Sequence, residues 1–348
     1  MTAASQTSPT PTLAGARIQR WTPLSAGFTS GFGVLIIALA FVPVVMGASV
    51  VQDLTNLLTL VLMAVMWNAL AGYAGLVSVG LQAYIGLGAY ATVWFALHGV
   101  DPYVAMVLAT LFCAVVSIPL SFIVLRFRGA QFAIGTWVVA EAIGIYVSFD
   151  NQLGAGTGTS LTQLYTYSPT HREHYTYWLT LTLTAFFVIA VFLLLRSRLG
   201  ASLQAIRDDE GAASSVGVRV VAGKRILFIL AAAGCGAAGA MTLANILFIE
   251  PTSIFSVNYS AFMIFMVLVG GLGTFEGPII GAIILYFIQQ QFGNDGTSYL
   301  IGLGATAIAF ALFIPRGIWG LVEERTGVRF MPVGYRVRRR APDSGVDP

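Results

Sequence analysis

Charge is what this chain has least of. Asp, Glu, Lys and Arg together supply 9% of its 348 residues, against roughly a quarter in soluble globular proteins. That is too little polar surface to clothe a water-soluble fold. Cysteine is almost absent: Cys113 and Cys235 both sit inside apolar runs, which excludes a disulfide scaffold and reads as two small core residues. A net charge of +3 offers no basic face for nucleic acid, and the scarcity of polar residues excludes intrinsic disorder. What remains is apolar. Hydrophobic residues make up 57% of the chain, with 38 glycines and a mean hydropathy of +0.82. This is the composition of an integral membrane protein.

A bilayer core takes about 20 apolar residues per helix. Stretches of that kind run near 32–50, 54–72, 83–98, 103–125 and 130–149, then near 176–195, 226–249, 258–275, 277–292 and 298–314. They lack period-2 alternation, which predicts helices and not an outer-membrane barrel. The stretches at 83–98 and 277–292 are short and glycine-rich, so the expected fold is an all-α polytopic bundle of about eight to ten transmembrane helices with glycine-broken or re-entrant segments. With a cytoplasmic N-terminus and ten crossings, every Lys and Arg except Arg172 falls on the inside, as basic residues do in inner membranes. Residues 1–26 then form a polar cytoplasmic tail, 27–322 the membrane domain, and 323–348 a basic cytoplasmic tail. Arg17 and Arg20 precede an apolar run too long for a cleaved signal peptide.

Motifs for chemistry are missing. The nearest approach to a phosphate-cradling loop runs from Gly217 to Gly223-Lys224, with the wrong spacing and Arg225 in place of the hydroxyl. His171 and His174 flank Arg172 in an outside loop and read as a solvated polar stretch; no His-Glu-x-x-His or Gly-x-Ser-x-Gly is present. One ionisable residue, Glu141, lies clearly within a span. A lone glutamate is expected to hydrogen-bond inside the bundle or face a partner subunit, and it gives little machinery for ion coupling.

Three stretches carry information. Gly72–Tyr90 holds five glycines at membrane depth; Gly75 and Gly80 flank an expected break, Gly86 and Gly88 allow close approach, and Ser78 and Gln82 are candidate polar contacts along a pathway. In Val269–Gly281, Gly270, Gly271, Gly273 and Pro278 cannot continue one straight helix, so a tight cytoplasmic turn or re-entrant tip is expected, with Glu276 near water. One such interruption in each half of the chain points to a midplane pathway, with Gly86 and Gly270 as further lining candidates. In the inside loop, 199–217, the spacing predicts one short helix with Leu199, Leu203, Ile206 and Ala213 along one side, and Gly217 at its C-cap. Such a water-facing helix is suited to docking on another protein, with a membrane-surface helix as the alternative reading.

These stretches together resemble the membrane permease subunits of branched-chain amino acid ABC transporters, the LivM type of the LivH/LivM family. The resemblance rests on Gly75-Leu-Val-Ser-Val-Gly80 with Gly86-Leu-Gly-Ala-Tyr90, Arg128-Gly-Ala-Gln-Phe-Ala-Ile134, and Thr157-Gly-Thr-Ser-Leu161. It rests also on Leu203–Ala213 with Gly217, and on Gly270-Gly-Leu-Gly-Thr-Phe-Glu-Gly-Pro278. It implies a non-enzymatic subunit of an inner-membrane importer. Its partners would be a second, related permease, two cytoplasmic ATPases that bind the ATP and Mg, and a periplasmic solute-binding protein; the chain itself would hold no cofactor. Ala205, Arg207, Asp208, Ala212 and Gly217 are then the coupling residues, with the Arg207 side chain as a surface contact to an ATPase. Related permeases carry urea and short amides, so that reading of the solute stands beside branched-chain amino acids. An ion-coupled secondary carrier stands as the rival class.

Overall fold

A bilayer offers the backbone no hydrogen-bond partner, so apolar runs of this length satisfy their own amides as helices. The computed structural model describes residues 17–19, 23–293, 296–326 and 336–338. It opens with α1 (Pro23–Ala40) and α2 (Val42–Val45), followed by α3 (Ala48–Asn68), α4 (Gln82–Leu97), α5 (Pro102–Val124) and α6 (Ala130–Ser148). After α7 (Pro169–Arg196) come the short α8 (Arg198–Asp208) and α9 (Glu210–Ser215), then α10 (Val220–Ile246) and α11 (Pro251–Ile254). The chain continues with α12 (Asn258–Gly270), α13 (Gly277–Phe292), α14 (Thr297–Phe313) and α15 (Gly317–Thr326). Among the described residues, seven helical stretches are long and apolar enough to cross a membrane, and Gly33–Val45 and Gly277–Phe292 are shorter apolar helices. The 16 residues of α4 span about 24 Å, less than the roughly 30 Å of a hydrocarbon core. The fold is a polytopic helical membrane bundle.

Several boundaries depart from the sequence reading. The stretch 32–50 is not one span: Pro43 opens α2 and Gly47 precedes α3, which begins at Ala48. Helix α7 starts at Pro169, because Ser168 accepts a hydrogen bond from the His171 amide and proline suits the first turn. His171, Arg172 and His174 are therefore helical, not loop residues. Helix α1 begins at Pro23, within the stretch read as a polar tail. Arg20, Arg329, Arg339, Arg340 and Asp295 lie outside the described residues.

Helix α10 runs through the centre, packed on α3, α4, α5 and α7, and nearly every residue from Ala231 to Ala244 is buried. It lies against α4 at backbone distance: a Cβ at Gly88 would collide with the Gly236 carbonyl, and one at Gly239 with that of Ile85. Cys113 on α5 and Cys235 on α10 are free and fully buried in this core. Several threonines inside the bundle bond to their own helices, as Thr92 does to Gly88 O at 2.8 Å and Thr180 to Thr176 O at 2.7 Å. The last carbonyls of α1, which have no intrahelical donor, accept from α7: Tyr177 Oη donates to Leu39 O and Trp178 Nε1 to Ala40 O.

The loops sort into two faces. On one, Tyr167 donates to the Asp101 carboxylate, Tyr103 Oη to Arg172 O, and β2 (Thr159–Ser160) pairs with β3 (Phe248–Ile249). On the other lie the α5–α6 loop, α8 and α9, and the α12–α13 turn, joined by contacts described below. The two tails meet, since β1 (Arg17–Gln19) pairs antiparallel with β4 (Arg336–Arg338).

Candidate functional site

The site begins where α3 ends. Its last turn widens to a π-helix over Ala69–Tyr73, and the chain then runs without helix from Gly75, at φ 68°, to Leu81. The expected break between Gly75 and Gly80 is there. Trp67 Nε1 donates to Ser78 O at 2.8 Å, and the Gly80 amide donates to Ser78 Oγ at 3.2 Å. The second break is the turn from Gly271 to Glu276. Gly271 and Gly273 stand at φ 139° and 76°, outside the range of L-residues, which is why α12 stops at Gly270. Thr274 Oγ1 donates to Gly271 O and accepts from the Gly277 amide, closing the turn.

The two breaks touch. Asn68, 2% exposed, reads both edges of the second turn: its Nδ2 donates to Thr274 O at 2.8 Å and its Oδ1 accepts from the Gly273 amide at 2.9 Å. Both sides of its amide are thus satisfied in a site dry enough for a lost bond to cost about 1–3 kcal/mol. Arg207, on α8, reaches the same place. Its Nη1 donates to Gly72 O at 2.8 Å, a carbonyl near the helix end, and lies beside Gly273. Nη1 points inward, while Nε and Nη2 pair with Asp208 Oδ1, and the Arg207 side chain stays 38% exposed. One node thus joins α3, the α12–α13 turn and the 199–217 segment.

That segment is two helices, not one. Asp209 stands in extended conformation and accepts from the Ala212 amide at 2.9 Å, so its side chain caps α9 and interrupts the helix. The buried side consists of Gly200, Leu203, Ile206 and Ala213, while Leu199 is exposed. Gly200 lies close against the Leu195 carbonyl, and Ser197, in extended conformation, separates α7 from α8. Glu210 anchors the pair, 2.7 Å from Lys224 Nζ on α10 and 3.6 Å from Arg128 in the α5–α6 loop. Gly217 sits at φ 85°; its amide donates to Ser214 O and that of Val218 to Ala213 O, the two bonds of a Schellman cap. Ala205, Asp208, Ala212 and Gly217 all face outwards, beside an 80% exposed Val216.

Of the four pathway candidates, Ser78 lies within the first break and Gly270 directly precedes the second, while Gln82 and Gly86 stand on α4. Ser78 and Gln82 are buried, with Gln82 Oε1 accepting from Ser260 Oγ. Gly86 faces the Phe255 ring, which also stacks on Tyr90, and Gly270 packs on the Gly277 carbonyl. Glu141 does not point into the bundle: it is exposed halfway along α6, accepting from Trp137 Nε1 at 3.0 Å. Asn68 escaped the sequence reading altogether; its one signal was an amide after the apolar stretch Leu60–Trp67.

Residues 49–314 match the family model described as the branched-chain amino acid transport system permease component. Two curated proteins are similar along most of the chain. The high-affinity branched-chain amino acid transport system permease proteins LivM of Salmonella typhimurium and Escherichia coli are each 27% identical over 315 residues, covering 82% of this chain and 73% of theirs. No solved structure matches it.

Proposed function

Because the chain belongs to the family of permease components of branched-chain amino acid transport systems, we propose that it is the membrane subunit of an ABC importer for branched-chain amino acids or a related amino-acid-like solute. Two cytoplasmic ATPases that bind ATP and Mg drive it, a second related permease completes the channel, and a periplasmic binding protein delivers the solute. The assembly lies in the inner membrane with both tails of this chain in the cytoplasm, the orientation that places all basic residues but Arg172 inside.

The observation that carries this reading is the double character of α8 and α9. Their outer surface presents small side chains and the Val216 knob, which suit a groove on another protein. Their inner surface sends Arg207 to the junction of both broken hairpins. ATP binding closes the ATPase pair, α8 and α9 follow, and Arg207 passes the movement to Gly72 and the turn held by Asn68. The channel alternates between its two openings as a shift between two states. Glu141 supports a second permease: a carboxylate exposed mid-span costs about 2.5–3.5 kcal/mol in lipid, and a protein neighbour on α6 relieves that cost.

The test is reconstitution. The chain co-expressed with the adjacent transport genes is expected to co-purify with ATPases and to take up leucine only with ATP and loaded binding protein. Uptake driven by an ion gradient without ATP would transfer the chain to the secondary carriers.

A further inference from the structure

A cavity of about 390 Å³ opens between α3, α10, α12 and α13, within the usual size of small-molecule sites. Its walls come from Asp53 to Met63 of α3, the early turns of α12 and the late turns of α10 and α13. Asn68 and the Gly271–Glu276 turn lie at the opposite ends of three of those helices. The cavity therefore faces away from the coupling segment. Met63, its lining residue furthest along α3, stands about 7 Å of helix above Asn68.

The lining is chemically divided. Leu60, Met63, Ile246 and Phe262 form an apolar wall. Asp53 is the one charged residue among the lining groups, and Asn56, Gln289 and Gln290 stand around it. Gln290 Nε2 donates to Asp53 Oδ1 at 3.2 Å and to Tyr286 Oη at 2.6 Å, and Asn245 Nδ2 donates to Asn56 Oδ1. The carboxylate is thereby held at the rim by an amide, a neutral donor, with no cation among the lining residues to neutralise it.

We propose that this cavity is the solute vestibule of the permease and that Asp53 selects solutes bearing an ammonium group beside an aliphatic side chain. Asp53 takes the ammonium, the neighbouring amides take the solute's carboxylate, and the Leu60–Phe262 wall takes the side chain. A neutral amide or urea leaves Asp53 without its counter-charge, so the cavity discriminates against them. The inference rests on the importer reading but uses separate residues: neither Arg207 nor any other coupling residue lines the cavity.

The experiment is thiol labelling of Thr242→Cys, a near-isosteric change on the cavity wall, in the assembled complex. Cys113 and Cys235 are fully buried, and the unsubstituted chain serves as the blank. A membrane-impermeant cationic methanethiosulfonate, added from outside, is expected to react about tenfold faster than its anionic counterpart, the preference a charged cleft imposes. Rates are normalised to those with a free thiol. Asp53→Asn should abolish that preference, and leucine should slow labelling where acetamide and urea do not. Absence of labelling, absence of charge preference, or equal protection by acetamide overturns the assignment. Binding-protein-stimulated ATP hydrolysis, measured on the same complex, separates the two claims. Stimulation without leucine protection removes the vestibule and leaves the importer; leucine protection without ATPase attachment does the reverse.

Discussion

Arg207 Nη1 and the carbonyl oxygen of Gly72 are joined across 2.8 Å, although 135 residues separate them in sequence. The bond links a surface helix to the widened end of a central one, where a carbonyl has lost its regular partner. Hydrogen bonds from charged donors contribute about 1.5–3 kcal/mol, comparable with the roughly 1–3 kcal/mol of typical coupling between sites. Replacing Arg207 with Gln should therefore leave the ATPases attached while binding-protein-stimulated hydrolysis falls about tenfold or more. Loss of ATPase co-purification would show that Arg207 acts at the subunit surface instead.

Gly217→Val tests the end of α9. Nothing lies within 4 Å of a Cβ at that position, so the change is purely one of backbone preference, about 1–2 kcal/mol for an L-residue held left-handed. The complex should assemble but lose stimulated hydrolysis and uptake, and Gly217→Asn, which tolerates that conformation better, should retain part of both. Normal uptake by the valine variant would withdraw the coupling role.

Asn68→Leu fills the same space but leaves the Gly273 amide and Thr274 carbonyl without partners. Each buried group so orphaned costs about 1–3 kcal/mol. The purified variant should unfold at lower temperature, and a cysteine at the exposed Leu272 should become more reactive as the turn loosens. An unchanged melting temperature and unchanged reactivity would mean that Asn68 does not hold the turn.

Glu141→Gln keeps an acceptor for Trp137. Uptake should persist in this variant, and also when the proton gradient is collapsed at constant ATP. Loss of uptake on that collapse would move the chain towards the ion-coupled carriers.

Orientation has its own test. Thr166→Cys, exposed on one face, should react with an impermeant reagent in intact cells, and Ser214→Cys, exposed on α9, only after permeabilisation. Equal labelling of both in intact cells would reject the assigned sidedness.

Much of the bundle was legible because span length and apolar composition are local quantities. The unwound segment after Gly75 and the left-handed Gly217 were legible for the same reason, since each follows from what glycine alone permits. The Asn68 contacts were not: their partners lie 205 and 206 residues away, and a single amide in an apolar run looks like any other core residue. The split at Asp209 was missed because capping competes with helix continuation through one side-chain bond. Glycines posed the opposite difficulty. Gly86 and Gly270 read as pathway residues, yet small size serves tight packing equally, and these two lie against Phe255 and Gly277.

The seam between α4 and α10 constrains how such a molecule can move. At Gly88 and Gly239 each helix rests directly on the other's main chain, and a main-chain oxygen has no rotamer through which to yield. Sliding one helix along the other would drive the flanking Ala89, Ala238 or Ala240 methyls into those oxygens, as a ratchet tooth meets its pawl. Helices α4 and α10, with α5 packed on both, are therefore sterically locked against sliding along one another.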